Sequence, residues 1–174
     1  MDEENQMSLP IKEVVLGPGE GSHLTIGKSQ VTFKAVGTNT DGHLGLFEQT
    51  LPPGGTSPEP HLHRHMEEMF YVLEGEVEIL VGEQTVQGQA GAFVLVPRGM
   101  PHAFANRGTQ AAKLLIMFSP AGSREKYFEG LAELLKDGQP PDRKALVELY
   151  AEIRPGTCEY LIQVCISLLC KVLA

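Results

Sequence analysis

The chain has 174 residues, 42% of them hydrophobic, with 22 acidic side chains against 14 basic ones and a formal net charge of −8. That length holds one domain with a full core plus an appendage, and an acidic balance without a basic cluster argues against nucleic acid as a partner. No apolar run approaches the roughly 20 residues a bilayer span requires, and no cationic start followed by an apolar stretch marks a secretion signal, so no membrane partner and a cytoplasmic location are expected.

Residues 1–10 are mostly polar and are expected to form a flexible N-terminal tail. From residue 11 to residue 51 the apolar clusters 14–16, 24–26, 31–33 and 44–47 are short, and Gly17-Pro18-Gly19 and residues 39–42 punctuate them. This reads as successive short strands. Residues 69–73 are apolar throughout, as in a strand buried on both faces. After Gly75, Val77, Ile79 and Val81 alternate along a second strand, Gly82-Glu83 turns the chain, and Thr85-Val86 begins the return. Residues 92–96 form an apolar run too short for a helix and stopped by Pro97-Arg98-Gly99, which predicts a central strand ending in a turn. Residues 102–106 and 112–118 complete a set of roughly ten short strands, the pattern of an all-β sandwich or barrel over residues 11–120.

The character then changes. Tyr127, Phe128, Leu131, Leu134 and Leu135 recur at helical spacing, with Gly138 as a stop. Pro140-Pro141 breaks the chain, and Asp142 is placed to cap a second helix carrying Leu146, Val147, Leu149, Tyr150 and Ile153. Residues 121–174 are thus expected to form a helical appendage that packs on the barrel or on a partner subunit, away from the chemistry. Residues 160–174 are apolar almost all round and suit a buried terminal helix, a strand or an oligomer contact. The three cysteines, all beyond Thr157, make neither a CxxC pair nor a disulfide framework.

Two segments carry the chemistry. His61 and His63 lie one residue apart, so on an extended strand both imidazoles point to the same face, with Cα atoms roughly 6.6 Å apart. Two imidazoles on one face can chelate an ion, a carboxylate a few residues on can add an anionic ligand, and His102 lies in a second segment, residues 91–106, as a fourth candidate. The plain alternative is a solvated histidine pair beside a proline-rich loop. Strict alternation from His63 brings His65 and Glu67 to the metal face, whereas Glu68 needs an irregular residue in between.

The two segments together resemble the paired motifs of the cupin superfamily. Gly55, His61-x-His63, Glu68 and Gly75 occupy the first motif with intervals of five, four and six residues. Gly91, Pro97-x-Gly99, His102 and Asn106 occupy the second with intervals of five, two and three. The surroundings, Phe70-Tyr71-Val72-Leu73-Glu74-Gly75-Glu76 among them, are similar to small single-domain cupins of the quercetin 2,3-dioxygenase-like group. The resemblance implies a cupin (jelly-roll) barrel with a short C-terminal helical appendage. It also implies one divalent transition metal (iron, manganese, nickel, cobalt, copper or zinc) held by His61, His63, Glu68 and His102. The six-residue interval to Gly75 selects Glu68 over Glu67 as the acidic ligand.

Lighter expectations attach to other positions. Phe104 shares the parity of His102 and is a candidate wall of a substrate pocket, with core filling as the alternative. Phe70 and Phe47 are weaker pocket candidates that suit the core better. His65 is placed in the loop, Arg98 in a solvated turn, Asn106 in closure of the following turn, and His23 and His43 at the surface. The leading function implied is a metal-dependent dioxygenase of a hydroxylated, enolisable, flavonol-like small molecule. Glu68 would serve it as general base if the barrel raises its pKa. A non-oxidative isomerase or decarboxylase and a non-catalytic small-ligand-binding cupin are the alternatives, since the fold hosts many activities. A homodimer is expected.

Overall fold

The computed structural model describes residues 13–55, 60–139, 142, 144–146 and 148–149. The expectations for the N-terminal tail and the cysteine-containing stretch fall outside these residues. The chain runs β1 (Ser22–Ile26), β2 (Ser29–Ala35), α1 (Gly37–Thr40), β3 (Gly45–Leu51), β4 (Glu67–Glu74), β5 (Glu76–Val81), β6 (Gln84–Gln89), β7 (Phe93–Val96), β8 (His102–Ala105), β9 (Ala112–Ser119) and α2 (Arg124–Leu134). All strand pairs are antiparallel. They form a six-stranded sheet in the order β1-β2-β3-β9-β4-β7 and a three-stranded sheet in the order β6-β5-β8. The all-β reading holds.

Period-two burial sets the inner face. Along β3, Gly45, Phe47, Gln49 and Leu51 are buried, and along β9, Ala112, Leu114, Ile116 and Phe118. The apolar ones among these meet Val77 and Ile79 of β5 and Phe104 of β8 in one hydrophobic cluster, to which α2 adds Tyr127, Phe128 and Leu131. Gly75 marks the crossing from one sheet to the other. Its φ of +73° is open to glycine, and a Cβ there would stand 2.9 Å from the Ala111 carbonyl oxygen.

Three sequence expectations are corrected. Residues 14–16 form no strand, and Val15 is 87% exposed, because β1 takes the edge beside β2 and leaves them without a partner strand among the described residues. β7 is an edge strand and not a central one, with Phe93 57% and Leu95 50% exposed. β4 buries one face only, since Tyr71, opposite Phe93, is 38% exposed. The cause is shared. The three-stranded sheet covers one face of the larger sheet, and a continuous apolar run does not reveal which of its residues face out.

Asn106 closes the turn after β8 and does more. Its Oδ1 accepts from Gly108 N–H at 3.0 Å, and its Nδ2 donates to the carbonyls of Leu51 (3.0 Å) and Gln110 (2.8 Å). The buried amide thereby ties the end of β3 to the β8–β9 turn. Beyond β9 a cis Ser119–Pro120 bond leads to α2, which ends at a turn where Gly138 N–H donates to Leu135 O. Residues 144–146 and 148–149 are helical, and Leu146 and Leu149 pack against the core.

Candidate metal centre

Beside the β4–β7 ladder, an isolated backbone bridge ties His61 to His102 and so joins the two motif segments at the histidines. His61 N–H donates to His102 O at 3.0 Å, and His102 N–H returns a bond to His61 O at 2.8 Å. Gly99 N–H donates to His63 O at 2.7 Å, so the tight turn before β8 is tied to the loop before β4. His63 sits in that loop, the chain bends at Arg64 and His65, and a strand starts afresh at Glu67. The bend resets the alternation. Glu68 therefore points inward, while Glu67 lies at the surface against Arg98, with Oε1 2.7 Å from its Nε. His65 is exposed.

The four side chains His61, His63, Glu68 and His102 converge. The three imidazole centroids lie 4.5 to 5.1 Å apart. Glu68 Oε2 stands 2.8 Å from His63 Nε2 and 2.9 Å from His102 Nε2. One donor atom from each residue falls within 4.8 Å of all the others. Ligand bonds of about 2.1 Å separate donors by no more than about 4.2 Å, so small rotations suffice to enclose one ion. His102 Nδ1–H donates to Met100 O at 3.0 Å, which leaves Nε2 as the ligating nitrogen and fixes the ring. Three imidazoles and a carboxylate form a mixed donor set that suits several divalent transition metals.

Burial governs the protonation of the cluster. It pushes His61 well below the usual histidine range, with neighbouring imidazoles adding to the effect, and it lowers His63 to about 4 against the pull of Glu68. Burial pulls His102 down most strongly of any one cause, yet the hydrogen bond and the charge of Glu68, with the bond to Met100 O, together exceed it and its pKa is raised. Burial of Glu68 works to raise its pKa, but the bonds from His102 and His63 overcome this and hold it well below the carboxylate range. Without an ion, therefore, an ionised Glu68 favours a proton on His102.

A metal must displace that proton, which fixes a sign. Its apparent affinity is expected to rise about tenfold per pH unit while His102 is protonated and to level off once it is not, one proton being released per ion. A second proton enters the competition only as pH falls towards about 4, where His63 titrates. Isothermal titration in buffers of different ionisation enthalpy measures both slopes. An affinity that does not change from pH 8 to pH 5 would contradict the scheme.

A narrow cavity opens beside the cluster, lined by His61, Glu68, Phe104, Phe118, Arg124 and Phe128 among others. Phe104 thus serves both the core and the cavity wall. Phe47 and Phe70, the weaker pocket candidates, are fully buried in the core and are not among the residues that line this cavity. The helix α2, read from sequence as remote from the chemistry, supplies one wall. Arg124 was missed, although it carried a signal. It precedes Tyr127, Phe128 and Leu131 by three, four and seven residues, which places a charge on the apolar stripe.

Residues 47–118 match the cupin domain family. The chain is 30% identical over 120 residues to polyketide synthase CurC of Streptomyces cyaneus, covering 69% of this chain and 73% of that protein. It is 32% identical over 119 residues to quercetin 2,3-dioxygenase of Bacillus subtilis, covering 68% of this chain but only 34% of that protein. Among solved structures, polyketide cyclase RemF of Streptomyces resistomycificus shares the fold at a TM-score of 0.54 and 22% identity, over 63% of this chain and 80% of that one.

Proposed function

The chain belongs to the cupin family, and we propose that it is a metal-dependent dioxygenase of hydroxylated, enolisable small molecules of the flavonol kind. The observation that carries the proposal is the convergence of three imidazoles and one carboxylate at the inner end of a cavity walled by aromatic rings. Similarity to a quercetin 2,3-dioxygenase over 119 residues supports the substrate class.

His61, His63, Glu68 and His102 would hold a divalent transition metal, which would supply a Lewis acid for a substrate oxygen and, if redox-active, a route for electrons to dioxygen. The chain's own groups do the rest. Phe104, Phe118 and Phe128 offer apolar walls to a flat substrate and exclude bulk water. Glu68 is the carboxylate that lines the cavity a substrate hydroxyl would enter. In the ion-free cluster the bonds from His102 and His63 hold its pKa low, so the raised pKa that a general base requires is not supplied by burial in the barrel alone.

The test is oxygen uptake by protein reconstituted separately with iron, manganese, nickel, cobalt, copper and zinc, against a panel of flavonols and other enolisable compounds. Oxygen consumption matched to loss of at least one of these compounds with at least one redox-active ion, and none with zinc, is expected. Loaded protein that consumes no oxygen with any enolisable compound would overturn the reading. The match to CurC along 73% of that protein favours a non-oxidative second reading, which instead requires anaerobic turnover that zinc supports.

A further inference from the structure

Arg124 opens α2, and it is buried in the wall of the cavity that two of the four donors reach. It is 7% exposed and lines the cavity that His61, Glu68 and Phe104 also line. Its Cζ lies 4.4 Å from the Phe118 ring centroid and 4.1 Å from that of Tyr127. Stacking engages the flat faces of a guanidinium, while its N–H donors point outward in the plane. The Arg124 Nε has no hydrogen-bond partner among the described residues.

Among the described residues no carboxylate pairs with it: Glu68 is engaged by His63 and His102, while one Glu125 oxygen accepts from Gly37 N–H and the other makes no hydrogen bond. A buried cation without a counter-ion is costly. A divalent ion beside Glu68 would leave the site with a further surplus of positive charge. An anionic ligand removes both deficits, and a planar carboxylate matches the guanidinium fork with two parallel bonds.

We propose that Arg124 receives a carboxylate of the substrate, which shifts the preferred substrate, within the enolisable class, from neutral flavonols to hydroxylated or enolic acids whose oxygen faces the four-donor cluster. This rests on the metal-dependent reading above, with the acid group held by α2 and the reacting end by the barrel. Gln49 and Ser29, buried in the same cavity wall, add polar side chains for the remaining substrate oxygens.

Titration of benzoate and of its neutral isostere benzamide into the full chain tests the proposal, once with zinc loaded and once after stripping with a chelator. Benzoate is expected to bind about tenfold tighter or more in both forms, as one charge-assisted pair implies. Arg124→Gln is expected to bring benzoate down to the benzamide level, and Arg124→Lys to restore part of the difference. A preference seen only in zinc-loaded wild type assigns the carboxylate to the metal and overturns the role of Arg124. A preference seen in stripped wild type, in a protein that takes up no metal, upholds Arg124 and overturns the metal reading. The stripped wild-type comparison decides even if Arg124→Gln fails to fold, and equal affinities there overturn the proposal.

Discussion

Glu68→Gln is expected to lower affinity for a divalent transition metal by at least about 100-fold, the upper end of what losing even an outer-shell partner costs. Glu67→Gln, one residue away, is expected to leave it unchanged. Glu68 is 2% exposed, and its Oε2 touches two of the three imidazoles, so it supplies the one negative charge among the donors. Glutamine keeps the shape and an acceptor oxygen, so the fold survives while the charge does not. Glu67 faces outward to Arg98, and the exposed pair they make is screened by water. Elemental analysis and isothermal titration of both variants read the contrast directly. Equal losses in the two, or a larger loss in Glu67→Gln, would mean that β4 is turned over relative to the structure described.

That contrast also marks how far the sequence reaches. The intervals between Gly55, His61, His63, Glu68 and Gly75 are set by the bend and the crossing they span, so they are legible as a motif. Parity alone pointed to Glu67, because a strand's alternation assumes unbroken extension, and the bend at Arg64 and His65 breaks it. The nine described strands were mostly visible from period-two apolar residues and glycine turns. Which strands lie at an edge was not, since Phe93 and Leu95 look as apolar as any core pair and pairing order is a long-range property. The part played by α2 was hidden for a related reason. Its helical spacing showed an apolar stripe, but only the three-dimensional placement shows that Arg124 on that stripe meets a cavity shared with His61 and Glu68.

Phe47→Ala is expected to destabilise the fold by about 3–5 kcal/mol, whereas Phe93→Ala, a change of the same atoms, is expected to cost less than about 1 kcal/mol. Phe47 is fully buried, and its ring meets Phe33 at 5.1 Å, Phe128 at 4.6 Å and Phe118 at 5.9 Å. It joins β2, β9 and α2, so the void left by alanine cannot be closed by moving one neighbour. Phe93 is 57% exposed on an edge strand and leaves no void behind. Denaturant unfolding, read as midpoint and slope, measures both. The result bears on the site because Phe118 and Phe128, which Phe47 supports, also wall the cavity, and the Phe118 ring lies 5.9 Å from that of His63. If the core and the donor cluster belong to one cooperative unit, saturating metal raises the midpoint of Phe47→Ala as it does that of the wild type. A metal effect present in the wild type and absent from a folded Phe47→Ala would show that the aromatic seat of α2 also shapes the metal centre. A loss below about 1.5 kcal/mol for Phe47→Ala would instead deny that ring its central place in the packing.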